Sequence, residues 1–511
     1  MIILVDFGGQ TAHLIGRRIQ EFGVECLIVT PDQVMDKVNS GVKGIILSGG
    51  PGDVFAKDGT TVDPKIFELG TPILGICYGH QLMGYLLKGG EVESGIKKEF
   101  GPATLKITKT CKLFDGLPES STVWFSHGDE VTKLPDGFIE NAKTEHANTA
   151  ISDEDKKLYG IQFHPEVVHT EFGTQILENF LKICGLTPKK IEINEDYVNN
   201  LVKDIKDSLG NEKAICALSG GVDSSVAVLL VHKAIGDNLT SVYIDSGLMR
   251  EGETENLRRV FGEHYKMNVD IINAKDLFLK VLKGITDPEE KRKAIGKTFI
   301  DCFEAEAKRI GAAHPSSGCK FLVQGTIYPD VIESAGSKHA KNIKSHHNVG
   351  GLPENMKLIL IEPLRNFYKD QVRKIGKILG LPDSITERQP FPGPGLAVRI
   401  IGDVTEVKLE ILRKSDKIVT DEIEKAGIKL WQAFAVFTGI KTTGVRGDER
   451  AYGETIAIRA IEATDAMSAN FARLDYELLN KISVRIVNEI PEVNRVVYDI
   501  TNKPPATMEW E

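Results

Sequence analysis

Nowhere in the 511 residues do two cysteines stand as a CxxC pair. The seven present are Cys26, Cys77, Cys111, Cys184, Cys216, Cys302 and Cys319, scattered and odd in number. That usage excludes a disulfide framework and a clustered zinc site, and it points to a reducing, cytoplasmic setting. No stretch approaches the roughly 18 consecutive apolar residues of a membrane span. The opening MIILVDFGG has no basic segment and Asp6 breaks its apolar run, so no secretory signal is expected. Positive charge is not in excess: 63 Lys and Arg against 72 Asp and Glu leave a formal net charge of -9. That balance disfavours nucleic acid and anionic membrane as partners, though not small anions in locally basic pockets.

What is present suits several packed cores. Hydrophobic residues make up 41% and charged residues 26%, ordinary values for a globular chain. At about 100–200 residues per domain, the length predicts three domains. Residues 1–190 alternate short apolar runs (IILVDF, GIILSGG, TPILGIC, YGIQFHP) with helical stretches, the pattern of a mostly parallel α/β sheet. The polar segment 187–198, TPKKIEINEDYV, reads as a linker. A second α/β unit, 191–386, begins with the strand AICALSGG and adds TSVYIDSG and KFLVQGT. Within it, Ser334 to Gly351 has Gly, Ser and basic residues but no apolar periodicity, and reads as a mobile basic loop. The Pro/Gly-rich RQPFPGPGL marks a boundary, and 387–511 reads as an α+β domain. It holds an amphipathic helix through Val407, Ile411, Leu412, Ile418, Val419 and Ile423, and strands at LAVRII, AFAVF, TIAIRAI and RVVYDI.

Two motifs carry chemistry. GICYG (75–79) places Cys77 between glycines after a strand, the cysteine form of a nucleophile elbow. A helix starting there would acidify the thiol and supply backbone amides. A lone cysteine is more often core, but a core position does not need the glycines. QFHPE (162–166) adds His164 at a strand end and Glu166 two residues on, so a Cys-His-Glu triad is available. The glycines of SGGPGD (48–53) leave amides for an oxyanion. The second motif is LSGGVDSS. Its Ser219, Gly220, Gly221, Val222, Asp223, Ser224 and Ser225 lie between a strand and an apolar helix, where amides and helix dipole can surround a phosphate group. It has no lysine for an outer phosphate. Asp223 would repel bare phosphate and suits a Mg²⁺-bridged pyrophosphate.

DFGGQ, SGGPG, GICYGHQ and FHPEV, in this order, resemble the class I glutamine amidotransferases. The resemblance implies that Cys77 attacks the glutamine carboxamide, with His164 as base and Glu166 as its orienter. It implies an oxyanion hole at Gly50 and the Tyr78 amide, and a glutamine-binding part for Gln81. Asp53 departs from the serine common at that place. SGGVDSS resembles the loop of the N-type ATP pyrophosphatases, which adenylate an oxygen and release pyrophosphate. Joined to an ammonia source, such a module implies ATP-dependent amination. The order of the two motifs, with YIDSGLMRE, LVQGTIYPDVIES, KSHHNVGGLP, PFPGPGLAVR, WQAFAVF and KPPATMEWE, resembles the GMP synthetases over essentially the whole chain.

That resemblance implies two successive parallel-sheet α/β domains, a class I amidotransferase and an adenine-nucleotide α-hydrolase-like domain, followed by a small α+β dimerisation domain. The expected substrates are XMP, ATP and glutamine, with Mg²⁺, no tightly bound organic cofactor and a homodimer. Asp330 and Glu333 would serve ATP and Mg²⁺, with Lys344, His346 and His347 on a lid. Arg250, Gln432, Arg495, Lys503, Met508 and Glu509 would hold XMP. VRGDERAYG (445–453) departs from the family's usual loop there. Two other readings compete: a tRNA-thiolating pyrophosphatase, against which the acidic balance and the triad weigh, and a regulatory protein with a dead amidotransferase fold, against which Cys77, His164 and Asp223 weigh.

Overall fold

Short runs that are apolar at every position need cover on both faces, which a parallel sheet with flanking helices provides. A computed structural model describes residues 1–9, 11–55, 59–144, 148–313, 319–335, 358–446, 449–463 and 469–511, and they fall into two units, Met1–Glu192 and Ile193–Glu511. In the first unit β1 (Ile2–Val5), β3 (Gly44–Leu47), β4 (Ile73–Ile76) and β9 (Leu158–Ile161) are buried throughout. With β2 (Cys26–Val29) they pair in parallel in the order β2-β1-β3-β4-β9. The loops leaving β3, β4 and β9 therefore share one sheet edge. They contain Gly49 and Gly50, Cys77 and His164.

The expectation of a mostly parallel sheet holds only for these five strands. From β9 the sheet continues antiparallel through β8 (Asn148–Asp153), β7 (Ile139–Lys143), β5 (Glu91–Ile107) and β6 (Ser120–Lys133). β5 and β6 are too long and too mixed in polarity to resemble the short buried runs. The linker also ends sooner than expected. Asn194 caps a helix, Glu195–Leu209, by accepting from the Tyr197 amide at 2.9 Å, so residues 195–198 are its first turn.

The second unit contains a parallel sheet in the order β12-β11-β10-β13-β14. These strands are β10 (Ala214–Ala217), β11 (Leu239–Asp245), β12 (Val269–Asn273), β13 (Phe321–Val323) and β14 (Ile359–Ile361). The chain runs outward from β10 to β11 and β12, then returns to β13 on its other side. The loop after β10 thus stands where strand order reverses, the usual ligand crevice of such sheets. The helix after it, Val222–Ile235, is buried nearly all round.

A second sheet pairs β15 (Gln432–Arg446) with β16 (Glu449–Glu462), and β16 with β17 (Asn470–Phe471) and β18 (Val493–Tyr498). Helix Glu406–Lys425 is the expected amphipathic one. One apolar core runs from Ile215 and Val242 of the first sheet through Leu396 and Ile400 to Phe437 and Ile458 of the second. LAVRII is not the strand expected. Gly395–Arg399 forms a 3₁₀ turn after Pro390, Pro392 and Pro394, and only Ile400 bridges to Phe437. Gly395 sits at φ +67° with Leu248 pressed against it, so the chain turns there instead of laddering. Of the expected basic loop, residues from 336 on, with Lys344, His346 and His347, lie outside the described residues.

Candidate active sites

Cys77 is the residue under strain in the elbow. It has φ 51° and ψ -105°, outside the comfortable range of a side-chain-bearing residue, and it caps helix Tyr78–Leu86. The flanking glycines serve close approach, not unusual dihedrals. A Cβ on Gly79 would stand 2.3 Å from the Leu47 carbonyl oxygen, and one on Gly75 would stand 2.6 Å from the Gly79 carbonyl oxygen. Only glycine lets helix and strand meet this closely. Burial pushes the Cys26 and Cys184 thiols up to about 12 and Cys216 higher still, so these are core cysteines.

His164 follows β9 and is buried, its amide donating to the Trp124 carbonyl at 3.0 Å. Its Nδ1 lies 2.8 Å from Oε1 of the fully buried Glu166, and its ring also hydrogen-bonds with Cys77. Burial pulls the imidazolium down, but the hydrogen bonds to Cys77 and Glu166 and the Glu166 charge outweigh it and lift it to about 10. The three residues therefore form one hydrogen-bonded line, with the proton favoured on the imidazole. A Cβ on Gly49 would approach His164 Cε1 at 3.2 Å and Cys77 Cβ at 3.7 Å, so Gly49 packs against this pair, while Gly50 packs against Phe7 and Tyr78. The Tyr78 amide heads the helix and has no intrahelical acceptor. Gln81 is buried and donates to the Asp129 carbonyl at 2.9 Å. Asp53 is exposed and caps its own turn through the Phe55 amide at 2.7 Å, a local use that suits its departure from the family serine. Gln162, not singled out by sequence, donates to the Cys77 sulfur at 3.8 Å.

In the second unit Gly220 takes φ +76°, and the loop is tied by hydroxyls. Ser219 Oγ and Ser224 Oγ lie 2.9 Å apart, and Ser219 Oγ accepts from the Gly221 amide at 3.3 Å. Gly325 packs so tightly on the helix start that a Cβ there would stand 2.9 Å from the Ser224 nitrogen. The loop borders a cavity of about 500 Å³, shared with Gln324, Phe391, Pro392 and Lys369. Burial raises the Asp223 carboxyl; Lys369 opposes this and Asp330 adds to it. Lys369 Nζ stands 3.7 Å from Asp223 Oδ2, while the buried Oδ1 has no hydrogen-bond partner among the described residues. Lys369 comes from helix Lys369–Ile378, nearly 150 residues downstream, and no motif in the sequence marks it. Asp330 Oδ2 accepts from the Ile327 amide at 3.1 Å, holding its helix, Tyr328–Ala335, on which Glu333 also lies. No group of three metal-ligating side chains occurs among the described residues. The orphaned Asp223 oxygen fits a Mg²⁺ that takes its other ligands from phosphates and water.

Beside this cavity the predicted XMP residues divide. Arg250 pairs with Asp416 at 2.8 Å and donates to the Ala433 carbonyl at 3.3 Å. Gln432 donates to Glu509 Oε1 at 2.6 Å, and fully buried Arg399 grips both Glu509 oxygens at 2.9 and 3.0 Å. Arg250, Arg388 and Arg399 lie 5.2, 5.5 and 5.1 Å from the centre of the Phe391 ring. Arg250, Gln432 and Glu509 are thus brought together, with half-buried Met508 next in chain. Arg495 is not: it is exposed and donates to Thr442 Oγ1 at 3.3 Å. Ten residues of β15 separate Thr442 from Gln432, roughly 30 Å at about 3.3 Å per residue. Lys503 pairs through its backbone with Ala469 at 2.8 and 3.0 Å. Arg388, Arg399 and Asp416 were not picked out from sequence, although Arg388 opens the Pro/Gly-rich RQPFPGPGL and Arg399 ends PFPGPGLAVR.

Residues 3–184 match the family Glutamine amidotransferase class-I, 193–298 match NAD synthase, and 421–510 match the GMP synthase C terminal domain. Three curated relatives are each called GMP synthase [glutamine-hydrolyzing], and each alignment takes in 100% of this chain and 99% of the relative. They come from Carboxydothermus hydrogenoformans at 53% identity, Caldicellulosiruptor saccharolyticus at 52% and Geobacillus kaustophilus at 51%.

Proposed function

The chain belongs to the glutamine-hydrolysing GMP synthase family, and we propose that it runs that reaction at the two sites described, one in each unit. It is a ligase that adenylates XMP with ATP and replaces the adenylated oxygen with ammonia from glutamine. The products are GMP, AMP, pyrophosphate and glutamate. The observation that carries the residue assignment is the hydrogen-bonded line Cys77–His164–Glu166 beside Gly49 and Gly50.

In the first unit the Cys77 sulfur attacks the glutamine carboxamide carbon with the proton of the pair already held by His164. Glu166 holds the imidazolium. The amides of Gly50 and Tyr78 take the negative charge that develops on the carboxamide oxygen. When the C–N bond breaks, His164 returns the proton to the departing ammonia. It then deprotonates the water that frees glutamate. In the second unit an XMP oxygen attacks the α-phosphate of ATP, and the bond to the β-phosphate breaks. The 219–225 loop and Lys369 hold the leaving pyrophosphate, and Arg250, Gln432 and Glu509 orient the purine nucleotide. Asp223, with Asp330 beside it, would hold a Mg²⁺, whose contribution when bound is charge neutralisation on the pyrophosphate.

A homodimer is supported by apolar side chains on the β15–β16 ribbon, where Ile440, Val445 and Tyr452 are 59%, 75% and 75% exposed. Seven free thiols and nucleotide substrates support a cytoplasmic setting. The charge of -9 supports a partner list without nucleic acid or membrane; no helix among the described residues is long and apolar enough to cross a membrane. The test is direct. With XMP, ATP, Mg²⁺ and glutamine, the purified chain forms GMP and glutamate in equal amounts. A different aminated product, or none, overturns the reading.

A further inference from the structure

Arg399, Arg459 and Lys291 are the fully buried cations of the second unit among the described residues, each 0% exposed. Each of the three sends at least one donor to one stretch, residues 499–511. Arg459 pairs with Asp499 at 3.1 Å and donates to the carbonyls of Thr501 and Thr507, the latter at 3.0 Å. Arg399 grips Glu509. Lys291, from helix Pro288–Ala313, donates to the Ile400 carbonyl at 2.7 Å and to the Glu511 carboxylate. Glu511 also accepts from the Gly402 amide at 3.3 Å. The stretch has little regular structure of its own beyond a bridge at Lys503, so its course is set by these side chains. Met508 and Glu509 lie between the two anchors at Thr507 and Glu511.

From this we infer that Lys291 is a positioning residue for XMP: through Glu511 it fixes the 507–511 stretch so that Glu509 meets Gln432 and Arg399 in one geometry. Lys291 touches no substrate. Burial costs an ammonium dearly unless it is paired, and here a carboxylate and a backbone carbonyl meet it. Among the described residues, Glu511 is the carboxylate that pairs with Lys291, with Asp403 adding to it from farther off. The loss of that link frees residues on which the nucleotide rests, while the 219–225 loop stays tied by its own hydroxyls and by Gly325. The inference rests on the placement of XMP at Glu509.

The test uses the full chain and ammonia-driven synthesis, so that the thiol site plays no part. Glu511→Gln, and separately Lys291→Met, are expected to raise KM for XMP about tenfold, the scale of one charge-assisted hydrogen bond. KM for ATP and kcat at saturating XMP should stay within about twofold. The double variant should be no worse than Lys291→Met alone, because both changes break one link. If Lys291→Met does not fold, Glu511→Gln carries the test. Unchanged KM for XMP in folded Glu511→Gln overturns the inference, as does an equal fall of kcat for all substrates, which would mark a merely structural pair. Glu509→Gln separates the premise: if it too leaves KM for XMP unchanged, the nucleotide does not sit at Glu509. If it raises KM while the Lys291 and Glu511 variants do not, only the role of Lys291 fails.

Discussion

The thiol site and the nucleotide site differ in how they are assembled. At the first, three residues in two short motifs make the whole reactive line, and the strain is concentrated in one residue, Cys77 at φ 51°. At the second, the loop is local, but its charges come from far along the chain: Lys369 and Arg388 line a cavity opened by residues 219–225, and Arg399 holds Glu509 next to Phe391 at its edge. A nucleophile needs a forced backbone and one base, which a few neighbouring residues can supply. A highly charged substrate needs many donors spread around it, and no short segment can surround it alone.

The sharpest way to break this comparison is to remove each centre in turn. Cys77→Ala should reduce glutamine-driven GMP formation by about 10⁴-fold or more, as loss of a nucleophile does. The rate with added ammonium should be unchanged. Loss of both rates in a folded protein would show that the two sites are not separable. Asp223→Asn should lower both rates together, by about 10²–10³-fold, because it alters the step common to both nitrogen sources. Parallel assays with glutamine and ammonium decide it.

Glu166→Gln should slow only the glutamine-driven rate, by about 10²-fold, and should also move its pH profile. In the native site His164 is raised to about 10. Removing the Glu166 charge lowers that value, so the alkaline limb should move to lower pH. The sign for stability follows: the native hold on this proton contributes fully below the ordinary histidine value of about 6.5 and is lost as pH rises through about 10. An alkaline limb that stays in place would remove Glu166 from the line. The smallest effect belongs to Gly220→Ala. At φ +76° a side chain costs about 1 kcal/mol, read as a fall of a few degrees in the melting of the second unit. No fall would mean that the loop relaxes freely and is not held by Arg388, which donates to the Gly220 carbonyl at 2.6 Å.

The same contrast explains what was legible in the sequence. Cys77, His164 and Glu166 were readable because chemistry and geometry share a motif, and the parallel strands because burial on two faces leaves unbroken apolar runs. The antiparallel strands β5–β8 were not, since long ribbons of mixed polarity carry no such run. LAVRII read as a strand by composition, but three prolines and Gly395 turned it, and its arginine proved to be a buried anchor. Lys369 and Asp416 sit in ordinary amphipathic helices, where a charged residue looks like any solvated one. Only the fold shows that Asp416 is buried and that the half-exposed Lys369 turns to Asp223.

The three buried cations also bear on the order of synthesis. Lys291 and Arg459 emerge from the ribosome before the carboxylates that pair with them, Glu511 and Asp499, while Arg399 meets Asp416 well before it gains Glu509. Until then the second unit would enclose charges whose partners do not yet exist, at about 3–5 kcal/mol for each unpaired one. Its core can therefore close only once residues 499–511 are free to join it, whereas no fully buried Lys or Arg occurs among the described residues of Met1–Glu192. Limited proteolysis of a chain stopped before Asp499 should leave the first unit intact and digest the second; a resistant second unit would show that the cations tolerate waiting.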